Sequence, residues 1–271
     1  GTAHQKALLS IQAKQGAFDV VQYDNTFLAA FANAGALAPL NDYVKNSSEY
    51  DIADFSDALQ HYGDYKGTSY GLVLSTEPFL LWYRPSILKK DGVTPPTTWD
   101  EFKSVSAATN KDGVAGQVMG YGPNTDWWWM QLVWSFGGKL YDDQFKPTVN
   151  SPEAVAATQF YKDMLQYAPK GALGLNGDDV TSQFTSTNIA QMIQYSGYAS
   201  LIYDPKTSSF PNDIAAVSVP AGKVDAVELA GWNIGIASDS PNKDAAWQFL
   251  EFALGKSNAS KMLEYGAAAI G

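Results

Sequence analysis

FDVVQYDNTFLAAFANAG, residues 18–35, decides the fold class. Phe18 to Tyr23 is a short run rich in β-branched and aromatic residues and reads as a buried strand. The polar pair Asp24-Asn25 closes it. Residues 26–34 are apolar enough for a helix, and Gly35 stops it. A strand passing directly into a helix is the repeating unit of an α/β protein. In such sheets, polar residues at the carboxyl end of a strand lie where ligands bind. Asp24 and Asn25 are therefore candidate ligand contacts. Asp24 equally suits a helix N-cap, and the two roles are compatible.

Working outward, the same alternation continues. Residues 5–15 have helical spacing and end at Gly16. Ala36–Leu40 is a connector, Asn41-Asp42-Tyr43 a capped turn, and 54–60 a short helix. Tyr65–Leu72 alternates with glycines at both bends and reads as a hairpin. Phe79–Tyr83 is a hydrophobic strand, preceded by Ser75-Thr76-Glu77-Pro78. Glu77 is a lone carboxylate beside an apolar run, and a buried carboxylate needs partners such as ligand hydroxyls or backbone N–H groups. Thr98 and Glu101 form a capping box for a helix to about Ala108. Met119–Gly122 reads as a strand, and 127–136 as a helix ended by Gly137-Gly138.

In the second half, Ser151 and Pro152 open a helix whose apolar positions include Val155, Phe160, Met164 and Leu165. Residues 171–180 read as a surface loop, with Asp178-Asp179 initiating a helix over 180–186. Ala190–Ile193 is a strand, Ser196–Ala199 a tight turn, and Ile214–Val219 another strand. Leu229–Ala237 is a strand whose small residues, Gly231 among them, permit close approach by another group. A helix follows over 242–254 with Trp247, Phe249, Leu250 and Phe252 directed inward. A last helix, 257–264, ends in Gly266 and a small-residue tail. The class is α/β.

Trp127-Trp128-Trp129 is the most unusual stretch. On a helix three consecutive indoles point about 100° apart, so they cannot all face one core. An indole left in water needs a cover. A sugar ring, flat and apolar on its C–H faces, is one. At least one of the three is therefore expected to be partly exposed or to line a cavity, the alternative being two in the core and the third against a loop.

Composition excludes several functions. The 271 residues carry a net charge of −10, which argues against nucleic acid and against electrostatic binding to an anionic membrane. There is no cysteine, so thiol nucleophiles and thiolate metal sites are ruled out. The two histidines, His4 and His61, lack neighbours at metal-ligand spacing. Asn110–Gly113 lacks the acidic positions and closing Glu of a calcium loop. No metal or cofactor is expected. No apolar run is long enough to span a bilayer. No signal peptide and no initiator Met are present, as in a processed or trimmed chain.

Six segments, in order, resemble the extracellular sugar-binding proteins of bacterial ATP-driven importers, the group that includes maltose-binding protein: 18–42, 65–84, 95–102 (PPTTWDEF), 150–165 (NSPEAVAATQFYKDML), 190–199 (AQMIQYSGYA) and 230–253 (AGWNIGIASDSPNKDAAWQFLEFA). The resemblance implies a two-lobed periplasmic-binding-protein fold with a ligand cleft between lobes and hinge closure on the ligand. Residues 1–76 and 233–271 would form lobe I, and 77–232 the crossing strands with lobe II. Relatives begin with further strands before residue 1 and continue beyond a segment like GAAAIG, so lobe I would be incomplete.

By the same resemblance, Asp24 stands where a hydroxyl acceptor is often found, and Glu77 on a crossing strand where relatives place a carboxylate. Trp127 or Trp128, counted back from Gly137-Gly138, takes the place of a stacking aromatic, Trp127 as the first platform and Trp128 as the second, which leaves Trp129 to the core. Tyr198 replaces a usual tryptophan after Ser196-Gly197. Trp232 follows the cleft glycine, Gly231. The implied function is binding of a mono- or disaccharide or sugar alcohol by a monomer that delivers it to the importer's membrane permease subunits. The implied location is periplasmic or extracellular, with a lipid anchor in a Gram-positive cell. The alternative is a glycoside-processing enzyme using Asp24 and Glu77 as paired carboxylates.

Overall fold

The computed structural model describes residues 2–264; Gly266 and the small-residue tail lie outside the described residues. In order the elements are α1 (Thr2–Gln12), β1 (Val20–Asp24), α2 (Leu28–Asn33), α3 (Asn41–Asn46), α4 (Asp57–Gln60), β2 (Asp64–Tyr65), β3 (Thr68–Ser69) and β4 (Leu72–Tyr83). Then come α5 (Pro85–Lys90), α6 (Trp99–Thr109), α7 (Asp126–Ser135), α8 (Pro152–Met164), α9 (Gly177–Ser186), β5 (Gln191–Tyr195), α10 (Ala199–Tyr203), β6 (Ala215–Ser218) and β7 (Leu229–Ile236). Helices α11 (Lys243–Leu254) and α12 (Lys256–Glu264) close the described chain. It divides into two compact units, residues 1–77 with 230–271, and residues 78–229.

In the first unit β1 pairs antiparallel with β7, setting Val21 opposite Gly235 and Asp24 opposite Trp232. Residues of β1 alternate as a half-buried strand should: Val21 and Tyr23 are buried with Ile11, Phe31 and Leu37, while Gln22 faces out. A second cluster gathers Leu40, Tyr50, Leu72, Ile236, Trp247 and Leu250. The β2–β3 hairpin turns on Lys66 and Gly67, both with positive φ (51° and 79°), as a two-residue primed turn requires.

In the second unit β4 pairs with both β5 and β6, so that Leu81 stands level with Ile193 and Val217. Around this sheet lies one large core containing Phe79, Trp82, Trp99, Phe102, Trp128, Leu132, Phe160, Phe184 and Met192. The capping box is formed: Thr98 accepts from the Glu101 N–H, and Glu101 accepts from the Thr98 N–H. Ser151 caps α8 with Pro152 in its first turn. Helix α9 starts at Gly177, capped by Asn176, with Asp178 and Asp179 in its first turn.

Four expectations are corrected. Ser75–Pro78 are not a lead-in to a strand, because β4 is continuous from Leu72. Asn41–Asn46 is a helical turn and a half rather than a bare turn. Met119–Gly122 is not a strand: Val118 makes a single bridge to Met192, and the chain then passes beneath Trp128. A Cβ on Gly120 would lie 2.6 Å from that indole. Finally, Val155, Phe249 and Phe252 are exposed. The buried stripe of α8 runs through Ala154, Ala157, Phe160 and Met164, and that of α11 through Ala246, Trp247 and Leu250. A helix has room for one such stripe, and these three residues lie off it.

Candidate functional site

The candidate residues fall into two groups, one in each unit. In the first unit the group forms at the carboxyl end of β1. Asp24 caps the 3-10 turn Asn25–Phe27: one carboxylate oxygen accepts from the Thr26 N–H at 2.8 Å and from the Thr26 hydroxyl at 2.6 Å. Its other oxygen has no partner among the described residues. The N-cap role and an open acceptor therefore coexist in one side chain. Asn25 accepts from the side-chain amide of Asn233 at 2.9 Å, which leaves its own NH2 uncommitted.

Trp232 is the antiparallel register partner of Asp24 and is partly exposed. Its indole N–H has no partner among the described residues. Gly231, beside it, is buried because the Tyr62 ring sits where a side chain would be: a Cβ there would lie 2.5 Å from the Tyr62 hydroxyl. Asn233 and His4 also belong to this group, and neither stood out in the sequence as a site residue. Asn233 is fully buried and fixes Asn25. The His4 ring stacks on Phe27, centroids 4.3 Å apart, and lies 6.1 Å from Trp232.

Glu77 is half-buried on β4, with no hydrogen bond or ion pair among the described residues. Burial raises its pKa above the ordinary carboxylate range. The folded chain then holds this proton at pH values where the unfolded chain has lost it. Its contribution favours folding below the unfolded value near 4.5 and is lost as pH rises through the raised one. Glu77→Gln cannot ionise, so its melting temperature should exceed that of the parent near pH 7 and match it near pH 4. Equal shifts at both pH values would show that the carboxyl does not carry the effect. An uncommitted, partly desolvated carboxylate is also a strong acceptor for a ligand hydroxyl.

In the second unit the Trp triplet opens α7. The buried face of this helix runs through Trp128, Gln131, Leu132 and Ser135, one stripe at helical spacing. Trp128 is 2% exposed, tilts against Phe79 at 5.3 Å, and donates its indole N–H to the Ile193 carbonyl at 2.7 Å. It is a core residue and cannot present a face to a ligand, which corrects the expectation that it is the second platform. Trp129, expected to be core, is instead partly exposed at the edge of the core and donates its indole N–H to the Thr158 hydroxyl at 2.8 Å. Trp127 is partly exposed against the edge of the core, and its N–H has no partner among the described residues.

Tyr198 is partly buried against the same core and gives its hydroxyl to Asp178 at 2.6 Å. Its orientation is thus tied to the first turn of α9. Gln131 holds the chain that leads into β7, donating to the Ala226 carbonyl at 2.7 Å and accepting from the Glu228 N–H at 2.5 Å.

Among the described residues no group of three or more His, Asp or Glu is placed to hold a metal. None of the described helices is long and apolar enough to cross a membrane.

The chain is similar to solved structures of known ligand state. It is 26% identical, with a TM-score of 0.85, to a solute-binding protein of an ABC transporter from Thermotoga lettingae TMO bound with α-D-tagatose, covering 99% of this chain and 71% of that one. The same identity and TM-score relate it to a solute-binding protein from Agrobacterium radiobacter K84 in complex with ribitol, covering 98% and 70%. These likenesses give it the two-lobed periplasmic-binding-protein fold. Among curated relatives, a putative binding protein of Brucella abortus (strain 2308) is 24% identical over 96% of this chain, and the chain spans 64% of that relative's length. Residues 1–260 match the bacterial extracellular solute-binding proteins, and the chain belongs to that family.

Proposed function

We propose that this chain binds a mono- or disaccharide or a sugar alcohol outside the cytoplasmic membrane and delivers it to the permease subunits of an ATP-driven importer. The observation that carries the reading is the register of Asp24 against Trp232, which sets an open carboxylate oxygen beside a partly exposed indole with an unclaimed N–H. Sugars have apolar C–H faces and a rim of hydroxyls. Ring faces cover the first, at about 0.5–1.5 kcal/mol beyond area burial, and carboxylates and amides accept the second. A site that hydrogen-bonds hydroxyls also rejects ligands lacking them.

In this reading Asp24, Asn25, Glu77, Gly231 and Trp232 supply the first unit's contacts, and Trp127 and Tyr198 the second's. The first unit is lobe I and the second is lobe II. The tagatose and ribitol carried by the two similar structures belong to the proposed ligand class. The family description supports an extracellular location. A lipid anchor would hold the protein to a Gram-positive membrane. The role is binding rather than catalysis, in keeping with the family description, which is of solute-binding proteins.

Titration calorimetry with ribitol, mannitol, tagatose and maltose tests the reading. At least one should bind. Trp232→Ala and Trp127→Ala should each weaken that ligand tenfold or more, about 1.4 kcal/mol. Unchanged affinity in both variants would overturn the platforms, and hydrolysis of maltose would overturn the binding role.

A further inference from the structure

His4 lies in the first turn of α1, and the structure gives it three neighbours at once. Its ring is nearly parallel to that of Phe27, at 4.3 Å and 22°. It is also nearly parallel to Trp232, at 6.1 Å and 22°. Phe31 meets it edge-on at 6.5 Å. The Asp24 backbone N–H points to its Nε2 at 3.4 Å. Nε2 therefore accepts, which requires the neutral ring with its proton on Nδ1. Nδ1 is buried and has no hydrogen-bond partner among the described residues. Burial holds the pKa below the ordinary histidine value, in keeping with a neutral ring near pH 7.

The same imidazole thus touches both members of the proposed sugar wall. It braces one face of the indole and takes the backbone N–H of the residue that carries the acceptor. We propose that His4 is a positioning residue for this wall, holding Trp232 and Asp24 in the register in which a sugar or polyol meets them. The inference rests on the reading of this wall as a sugar site. Side-chain freedom at an indole is costly to freeze on binding, and a ring stacked behind it removes that cost in advance.

Two measurements test it, one of which needs no ligand. The emission spectrum of Trp232 is obtained as the difference between each protein and its Trp232→Phe counterpart. Removing the ring in His4→Ala should shift that component to the red, as the indole gains water. His4→Phe, which restores a flat ring, should return it toward the parent position. An unchanged component in His4→Ala overturns the proposal whatever sugars do. In calorimetry with the tightest of the four probes, His4→Ala should lose about threefold to tenfold in affinity, the range that ring packing is worth, and His4→Phe should recover most of it. Parent-like affinity in His4→Ala also overturns it. If the parent binds none of the probes, the sugar reading fails while the emission measurement still decides whether His4 sets the indole.

Discussion

Trp128→Ala is expected to destabilise the second unit by about 3–5 kcal/mol, the usual cost of emptying a buried aromatic site. The indole is 2% exposed and packs on Phe79 and over the bare backbone of Gly120. Its N–H satisfies the Ile193 carbonyl inside the β5 strand, and truncation leaves that acceptor without its side-chain donor. Trp127→Ala removes a partly exposed ring with no hydrogen bond and should cost under about 1.5 kcal/mol. Urea unfolding followed by far-UV circular dichroism measures both. The pair of variants separates two jobs within one tripeptide: Trp128 should lower stability strongly, and Trp127 should lower sugar affinity. A stability loss at Trp128 no larger than that at Trp127 would refute the core assignment.

Asp213→Ala should cost about 3 kcal/mol, the lower end for breaking a buried ion pair, since the aspartate retains some exposure. Its partner Arg84 is 6% exposed, with Nε 2.9 Å from the carboxylate and its guanidinium 3.6 Å above the Phe210 ring. Nη1 has no hydrogen-bond partner among the described residues, so losing Asp213 would leave a buried cation without its counter-charge. Ser86 binds the same carboxylate through its N–H and its hydroxyl, which fastens the start of α5. Burial opposes ionisation of Asp213, but these donors and Arg84 outweigh it and hold the pKa below the usual carboxylate value. The resulting stability is present above the unfolded value and is lost as pH falls through the lowered one. Arg84→Met combined with Asp213→Leu should recover most of the loss, because an apolar pair of similar volume leaves no charge buried. If the double variant is no more stable than Asp213→Ala, the pair is not the source of the cost.

Much of the fold was legible because its signals are local. The Thr98–Glu101 capping box, Pro152 after Ser151, and the glycines ending α2 and α7 all act within four residues of themselves. The polar end of β1 was legible for the same reason, since a strand that stops at Asp24 places that side chain at its tip. Errors arose where neighbours distant in sequence decide. Hydrophobicity alone points Val155, Phe249 and Phe252 inward, but the phase of each helix is set by what it packs against. Within the triplet, the phase lay in Leu132 and Ser135, four and seven residues beyond Trp128, and a stripe drawn through them selects Trp128 as core. In the sequence His4 stands out only as a possible metal ligand. Its stacking depends on the β1–β7 register, which no spacing around residue 4 reveals. Arg84 carried no local mark either, because its partner lies 129 residues away.

The Gln131 carboxamide meets the Ala226 carbonyl and the Glu228 N–H as a neighbouring strand's peptide group would. That turns a helix side chain into one rung of a ladder. The Glu228 amide proton should therefore exchange with solvent only when α7 itself loosens, and its exchange rate becomes a clock for the helix that carries Trp127.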